Sequence, residues 1–260
     1  MSAPAGQADG GPADATADGP PVVERDGAVV RIQLRRPREH NRIDPDDVPV
    51  LQAALDAARA DRAVRALVLS GSGTRTFSSG YTLQAVTRRL GDGFERMLDA
   101  LESLPVPTVC AIAGGVYGGG TDLALCCDLR VGVPASRMFM PAARIGLHYY
   151  PGGMRRYVAR LGQTAARKLL LTGVTIGSAE MLRVGFLTDL VEPEALDATV
   201  AGYLDAILAC EPAALAAMKA SLNAIGDGTA DWERMRREHE RTLRSPELAA
   251  RLAAVSRRPG

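Results

Sequence analysis

The sequence predicts an α/β protein built from short strands that alternate with helices and then give way to helix alone. Three patterns carry that expectation. Apolar runs of strand length recur at residues 28–34, 64–70, 108–113 and 128–133. Segments of helix length separate or follow them. Beyond about residue 194 only helical patterns remain, over 194–209, 211–225 and 231–256. Strands that keep returning after helices suggest stacked β-plus-helix units rather than one long sheet. With 260 residues, 47% of them hydrophobic, the chain is long enough to bury one substantial core.

Residues 1–20 are mostly Gly, Ala, Asp and Pro, with almost no large apolar side chain to offset ordering entropy, so they are expected to form a disordered tail. They lack the basic start and apolar stretch of a secretory leader. Order is expected from near Val22. Residues 28–34 alternate as a strand, ended by Pro37 and the His40–Asn41 pair. Asp44 followed by Pro45 reads as a cap with proline in the first turn, opening a helix to about Ala60. Residues 64–70 form a buried strand, and the glycines at 71 and 73 turn the chain. A helix follows the small-residue segment 77–82 and runs to about Leu104, where Pro105 and Pro107 break it. Then come strand 108–113, a glycine-rich loop over 114–120, helix 121–127 and strand 128–133. Helices are expected over 163–172 and 178–184 before the C-terminal set.

Composition narrows the function classes. The net charge of +1 offers no footprint for nucleic acid, and no apolar run approaches the ~20 residues a membrane span needs. Cys110, Cys126, Cys127 and Cys210 have neither metal-site nor disulfide spacing, and the 126–127 pair reads as small buried hydrophobes. A reducing, cytoplasmic setting is the expectation, with no metal and no Ser/His/Asp arrangement.

Chemistry points to the segments 77–82 and 114–122. Each joins a strand to a helix, and glycine lets a backbone N–H approach a ligand without a Cβ in the way. Two such N–H groups at a helix start can hold the developing negative charge on a thioester oxygen, an effect worth several kcal/mol. An isolated glycine run would more often be a tight turn, but here the flanks match as well.

Residues 77–83, F-S-S-G-Y-T-L, resemble the F-S-A-G-x-D-L of the crotonase (enoyl-CoA hydratase/isomerase) superfamily. Residues 107–128, P-T-V-C-A-I-A-G-G-V-Y-G-G-G-T-D-L-A-L-C-C-D, resemble its P-x-x-A-x-x-G-x-x-x-G-G-G-x-E-L-A-L-x-C-D. The L-T-G at 171–173 and the A…G-F-L of 179–187 are similar to its later signatures, so the likeness covers about residues 22–225. It implies a crotonase-like spiral of ββα units over 21–200 and a helical trimerisation region over 201–260, assembled as a homotrimer or hexamer. The implied partner is an acyl-CoA or similar acyl thioester. Coenzyme A is then part of the substrate, with no further cofactor.

By motif position the oxyanion donors are the N–H groups of Tyr81 and Gly119, with the Tyr81 ring lining the acyl pocket. Ser79, Gly118 and Gly120 flank them as expected substrate-binding positions. The acid/base set departs from the family, whose hydration resembles a two-glutamate mechanism. Asp122 stands at the first position, reaching about 1.5 Å less than Glu by bond length, and its place in a helix's first turn also has a purely structural explanation. At the second position, in M-P-A-A-R-I-G of residues 140–146, the expected Glu is Ala142, which can move no proton. The L-H-Y-Y-P-G-G of 147–153 resembles instead the G-V-P-Y segment of the methylmalonyl-CoA decarboxylase branch, with Tyr149 at the matching tyrosine. Tyr149 is therefore a candidate catalytic group, and Tyr150 and His148 candidate substrate contacts; pocket-wall and structural roles stay open for all three. His40 and His239 read as surface or loop residues. The resulting expectation is enolate chemistry by decarboxylation or double-bond migration. Hydration with one carboxylate, and acyl-CoA or partner binding without chemistry, remain alternatives. RNA binding, known for some members of the fold, gains nothing from the charge.

Overall fold

The computed structural model describes residues 18–89 and 91–255, so most of the predicted N-terminal tail lies outside the described residues. Of that predicted tail, Asp18 and Gly19 are described and bond to the body: the Gly19 N–H donates to Arg35 O at 2.6 Å, and the Asp18 carboxylate accepts from Arg38 N at 3.3 Å.

Strands β1 (Val22–Asp26) and β2 (Val29–Leu34) form an antiparallel hairpin turned at Gly27, φ 56°. β1 was not expected as a strand: it is an edge with mostly exposed side chains, so it carries no burial pattern to read. Next to β2 lie β3 (Ala66–Gly71), β5 (Thr108–Ile112), β7 (Leu129–Gly132) and β10 (Asp189–Leu190), all parallel, completing a six-stranded sheet. A second sheet holds β4 (Thr76–Ser78), β6 (Gly115–Tyr117), β8 (Arg137–Phe139) and β9 (Ile176–Gly177), in that order. The repeat is therefore ββα. In each turn the first strand extends the larger sheet and the second the smaller one, followed by α2 (Leu83–Arg89) and α3 (Asp92–Glu102), then α4 (Gly119–Cys126), then α5 (Pro151–Thr172). Stacked units and a long sheet are thus the same object here, which corrects the opposition drawn from the sequence. The smaller sheet escaped the sequence reading because its strands are two or three residues long and two of them sit inside the glycine-rich stretches.

Both faces of the large sheet are covered, which is why its strands read as continuous apolar runs. Alternate residues part to opposite sides. Ala66, Val68, Val109 and Ala111 pack with Leu196, Val200, Leu204 and Ile207 of α7 (Leu196–Ala209). Leu67, Leu69, Cys110 and Ile112 join the main core with α3, α4 and α1 (Asp47–Ala60). Each such valine, leucine or isoleucine contributes about 1.5–3 kcal/mol on burial.

Several element ends move. α1 starts at Asp47, and Asp44 is not its cap: its carboxylate takes Arg42 at 2.9 Å and the Thr82 hydroxyl. The long helix expected before Leu104 is two, α2 and α3. α5 begins at Pro151, twelve residues before the predicted start at 163, with proline at its first position; Gly162, φ 76°, kinks it where the prediction began. The helix predicted over 231–256 is split into α9 (Trp232–Leu243) and α10 (Pro246–Val255), since Pro246 starts a new helix. α6 (Ser178–Arg183) and α8 (Pro212–Gly226) fall where expected. Among the described residues no single helix is long and apolar enough to cross a membrane.

The central helix α4 deserves its place in the core: every residue from Gly120 to Cys126 is buried. Its C-terminal end is closed by the buried Arg130, which donates to the Ala124 and Cys127 carbonyls, a cation where the helix dipole favours one. Burial pushes the Cys110 and Cys126 thiols up, so neither is a nucleophile.

Candidate active site

The two glycine-rich segments meet at the N-terminus of α4. Gly80 has φ 81°, and a Cβ there would lie 2.4 Å from Gly119 N, so only glycine permits the approach. Gly118, φ 51° and ψ −131°, turns the chain from β6 into the helix, another conformation open to glycine alone.

That geometry frees two N–H groups. An isolated parallel bridge joins Tyr81 to Ile43, made by Ile43 N donating to Gly80 O (2.8 Å) and Thr82 N donating to Ile43 O (3.0 Å). In such a bridge the middle residue's own N–H faces away, and among the described residues no turn, loop or cap bond uses that of Tyr81. Gly119 is the first residue of α4, whose N–H has no acceptor within the helix. The position of a Cβ on Gly119 is 3.4 Å from Tyr81 N, so the two donors share one wall.

They share it with a cavity of about 240 Å³. Ser79, Tyr81, Gly118 and Gly119 line it from the two loops, Phe94 from α3, and Ala142, Tyr149 and Tyr150 from the segment leading into α5. The Tyr81 and Phe94 rings pack at 5.3 Å, and the Tyr81 hydroxyl donates to Arg89 O at 2.9 Å, tying α2 to the site. Among the described residues no charged side chain lines the cavity. Its polar reach comes from backbone N–H groups and hydroxyls.

Asp122, one turn along α4 from Gly119, is 0% exposed and does not line the cavity. Arg156, also 0% exposed, grips it with two bonds, Nε to Oδ1 at 2.7 Å and Nη2 to Oδ2 at 3.1 Å. Oδ2 also accepts from the Tyr150 hydroxyl and, at 3.3 Å, from the Tyr149 hydroxyl; the two hydroxyls are 3.2 Å apart. Both phenols stand between the carboxylate and the cavity. Burial first, and the Asp122 charge second, push both tyrosines well above the usual phenol range, so they stay protonated. The Arg156 guanidinium is shared with Asp99 (2.7 Å) and Glu102 (3.1 Å); burial opposes its charge, while neighbouring Cys126 and the carboxylates of Asp122 and Asp99 raise it.

Of the residues singled out by sequence, Ser79, Tyr81, Gly118, Gly119, Tyr149 and Tyr150 thus come together on one cavity. Gly120 sits beside it, packed against Ser78, where a Cβ would meet Ser78 O at 2.7 Å. His148 is exposed and is not among the residues that line this cavity. His40 is half-buried rather than exposed, its Nδ1 2.8 Å from the Thr76 hydroxyl, while His239 is exposed. Phe94 and Arg156 went unremarked. Arg156 carried a legible signal: two arginines near a helix N-terminus oppose the dipole and call for carboxylate partners.

The sequence profile of the enoyl-CoA hydratase/isomerase family matches residues 24–245. The chain belongs to that family. It is similar to the crotonyl-CoA hydratase of Syntrophomonas wolfei, 29% identical over 212 residues, covering 78% of this chain and 80% of that one. It is also similar to a probable enoyl-CoA hydratase of Mycobacterium tuberculosis, 31% identical over 265 residues, covering 92% and 98%. Among solved structures, an enoyl-CoA hydratase/carnithine racemase from Magnetospirillum magneticum superposes with a TM-score of 0.83 at 27% identity, covering 92% of this chain and 93% of the other. The ββα spiral is therefore the crotonase fold, and within the crotonase superfamily this member has an alanine and a tyrosine pair at its cavity where a carboxylate would be sought.

Proposed function

We propose that this crotonase-family protein binds an acyl-CoA and forms its enolate by decarboxylation, with the Tyr81 and Gly119 N–H groups as the oxyanion hole. One observation carries the choice of reaction: the cavity is lined by protonated tyrosine hydroxyls and by no carboxylate, so it has proton donors and no base. Decarboxylation needs that set. The bond to the carboxylate carbon breaks, its electron pair enters the enolate, and carbon dioxide leaves. The enolate oxygen is held by the two N–H groups. The α carbon then takes the proton of the Tyr149 hydroxyl, and the phenolate regains one from water. The apolar walls favour loss of the charged group, because a carboxylate is poorly solvated there. The likeness of residues 147–153 to the methylmalonyl-CoA decarboxylase branch agrees with this reading.

A second reading, hydration, is favoured by the names of the relatives, which are hydratases. It asks for a group to activate water, and Ala142 offers none. Incubating the protein with malonyl-type, 2-enoyl and 3-enoyl thioesters of coenzyme A, and weighing the products, separates the readings. Loss of 44 mass units from a malonyl-type thioester supports decarboxylation, and a gain of water on a 2-enoyl thioester at comparable rate overturns it. Binding without any product would mark an acyl-CoA carrier.

Assembly as a trimer or hexamer through the C-terminal helices belongs to the same proposal. Its support is the apolar groove between α8 and α9, where Met218 and Leu222 are 55% and 67% exposed.

A further inference from the structure

We propose that Asp122, the acid at the family's first catalytic position, is not a catalytic residue in this protein but a positioning residue: Arg156 fixes it, and it acts on the substrate only through the hydroxyls of Tyr149 and Tyr150. The inference rests on the enolate reading of the same cavity. It takes one step further by assigning who touches the reacting carbon.

A carboxylate has about four acceptor sites. On Asp122, Oδ1 takes one guanidinium N–H and Oδ2 takes the other together with the two phenol O–H groups, and its residue has no exposure left. A group so enclosed can neither reach a substrate carbon nor activate a water in the cavity. What it does instead is choose directions for two hydroxyls. The Tyr150 hydroxyl donates to Asp122 and accepts from Tyr149. Tyr149 is held more loosely, at 3.3 Å from the carboxylate and 3.2 Å from Tyr150, so its hydroxyl is the one free to turn to the cavity. Arg156 is the part that makes the arrangement permanent. Its planar fork meets the carboxylate at both oxygens, which a lysine cannot reproduce. The groups facing the phenols are then Asp122, Arg156 and Tyr157.

A double-mutant cycle of Asp122→Asn and Tyr149→Phe decides the matter on whichever thioester turns over. If Asp122 acts through Tyr149, Asp122→Asn lowers kcat in the wild-type background with KM unchanged. In the Tyr149→Phe background it then changes kcat by no more than about twofold, the margin for uncoupled effects. Equal losses in both backgrounds would show that Asp122 acts on the substrate independently and would overturn the proposal. Should Asp122→Asn not fold, the double variant Asp122→Asn/Arg156→Gln, which removes both buried charges, takes its place in the cycle. A readout without turnover keeps this separate from the decarboxylation reading. In a spectrophotometric titration of the tyrosines, Asp122→Asn should shift at least one phenol downward relative to the unmodified protein, since after burial the Asp122 anion is the next cause that holds the pair up. An unchanged titration overturns the network even if no thioester reacts; a changed titration with no turnover of any thioester upholds the network and sinks the enolate reading instead.

Discussion

Arg156→Met should be among the most destabilising single changes this protein can suffer, and its size follows from the partners of the guanidinium. The substitution keeps most of the volume and removes the charge. Asp122 is then a carboxylate at 0% exposure whose remaining partners are two phenols, and Glu102 loses one of its two arginines while keeping Arg155. Breaking one side of a buried pair costs about 3–5 kcal/mol, because the surviving charge is left without compensation. For a chain of this size each kcal/mol lowers the melting temperature by roughly 2–4 °C, so the expected loss is roughly 6–20 °C. Removing both charges should cost less than removing one. Arg156→Met/Asp122→Asn is therefore expected to recover several degrees of the loss. Differential scanning calorimetry on the three proteins measures both effects. A loss under about 3 °C in the single variant, or a double variant less stable than the single, would refute the reasoning from buried charge.

Three further outcomes are expected. Gly119→Pro removes one of the two cavity N–H groups; loss of one such donor costs about 10²–10³ in kcat, and full turnover in a folded variant would show the assignment wrong. Light scattering at micromolar concentration should give the mass of a trimer or hexamer, and Leu222→Glu in the α8–α9 groove should lower it; a monomer in the unmodified protein would rule out assembly through this face. Glu211 caps α8 through the Ala213 and Ala214 N–H groups at 3.0 and 2.6 Å, and these bonds hold its carboxyl below the usual glutamate range. Because the folded value is depressed, the stabilisation is present above the unfolded value and is lost as pH falls through the folded one. Chemical denaturation of Glu211→Gln should therefore be less pH-sensitive than wild type below the usual glutamate range, and parallel profiles would show the cap to be idle.

The glycine-rich stretches were legible because their chemistry is local: a backbone N–H freed by Gly80 and Gly118 depends on φ angles that only glycine supplies, so the residue type announces the geometry. The parallel strands β3, β5 and β7 were equally plain, since burial on both faces leaves continuous apolar runs. The four short strands of the smaller sheet were not, because two or three residues carry no period. Nor was the condition of Asp122. Its partners Arg156, Tyr149 and Tyr150 come from α5 and the loop before it, and nothing local at position 122 reveals that its oxygens are already taken. Position 142 was legible in identity, but the cavity around it was not.

Ala142 is where sequence and structure make the same demand on experiment. It is 4% exposed and lines the cavity with Tyr149, so a longer side chain at 142 has the cavity to extend into. Ala142→Glu would restore the acid that the family pattern expects there. A carboxylate in that apolar lining is costly to ionise, and the adjacent hydroxyls of Tyr149 and Tyr150 are the groups available to satisfy it. If hydration is slow in this protein because no group activates water, the new acid should raise the rate of crotonyl-CoA hydration while leaving loss of carbon dioxide from a malonyl-type thioester no faster. General acid/base help is worth about 10²–10⁴-fold, so even partial recovery is measurable. Tyr149→Phe should do the reverse, slowing product formation after decarboxylation without touching the oxyanion donors. Parallel assays of the three proteins on both thioesters test the pair of claims together. Wild-type hydration of crotonyl-CoA at the rate of a two-glutamate relative would refute them. It would mean that the enclosed Asp122 reaches water through the tyrosine pair as effectively as a free carboxylate would.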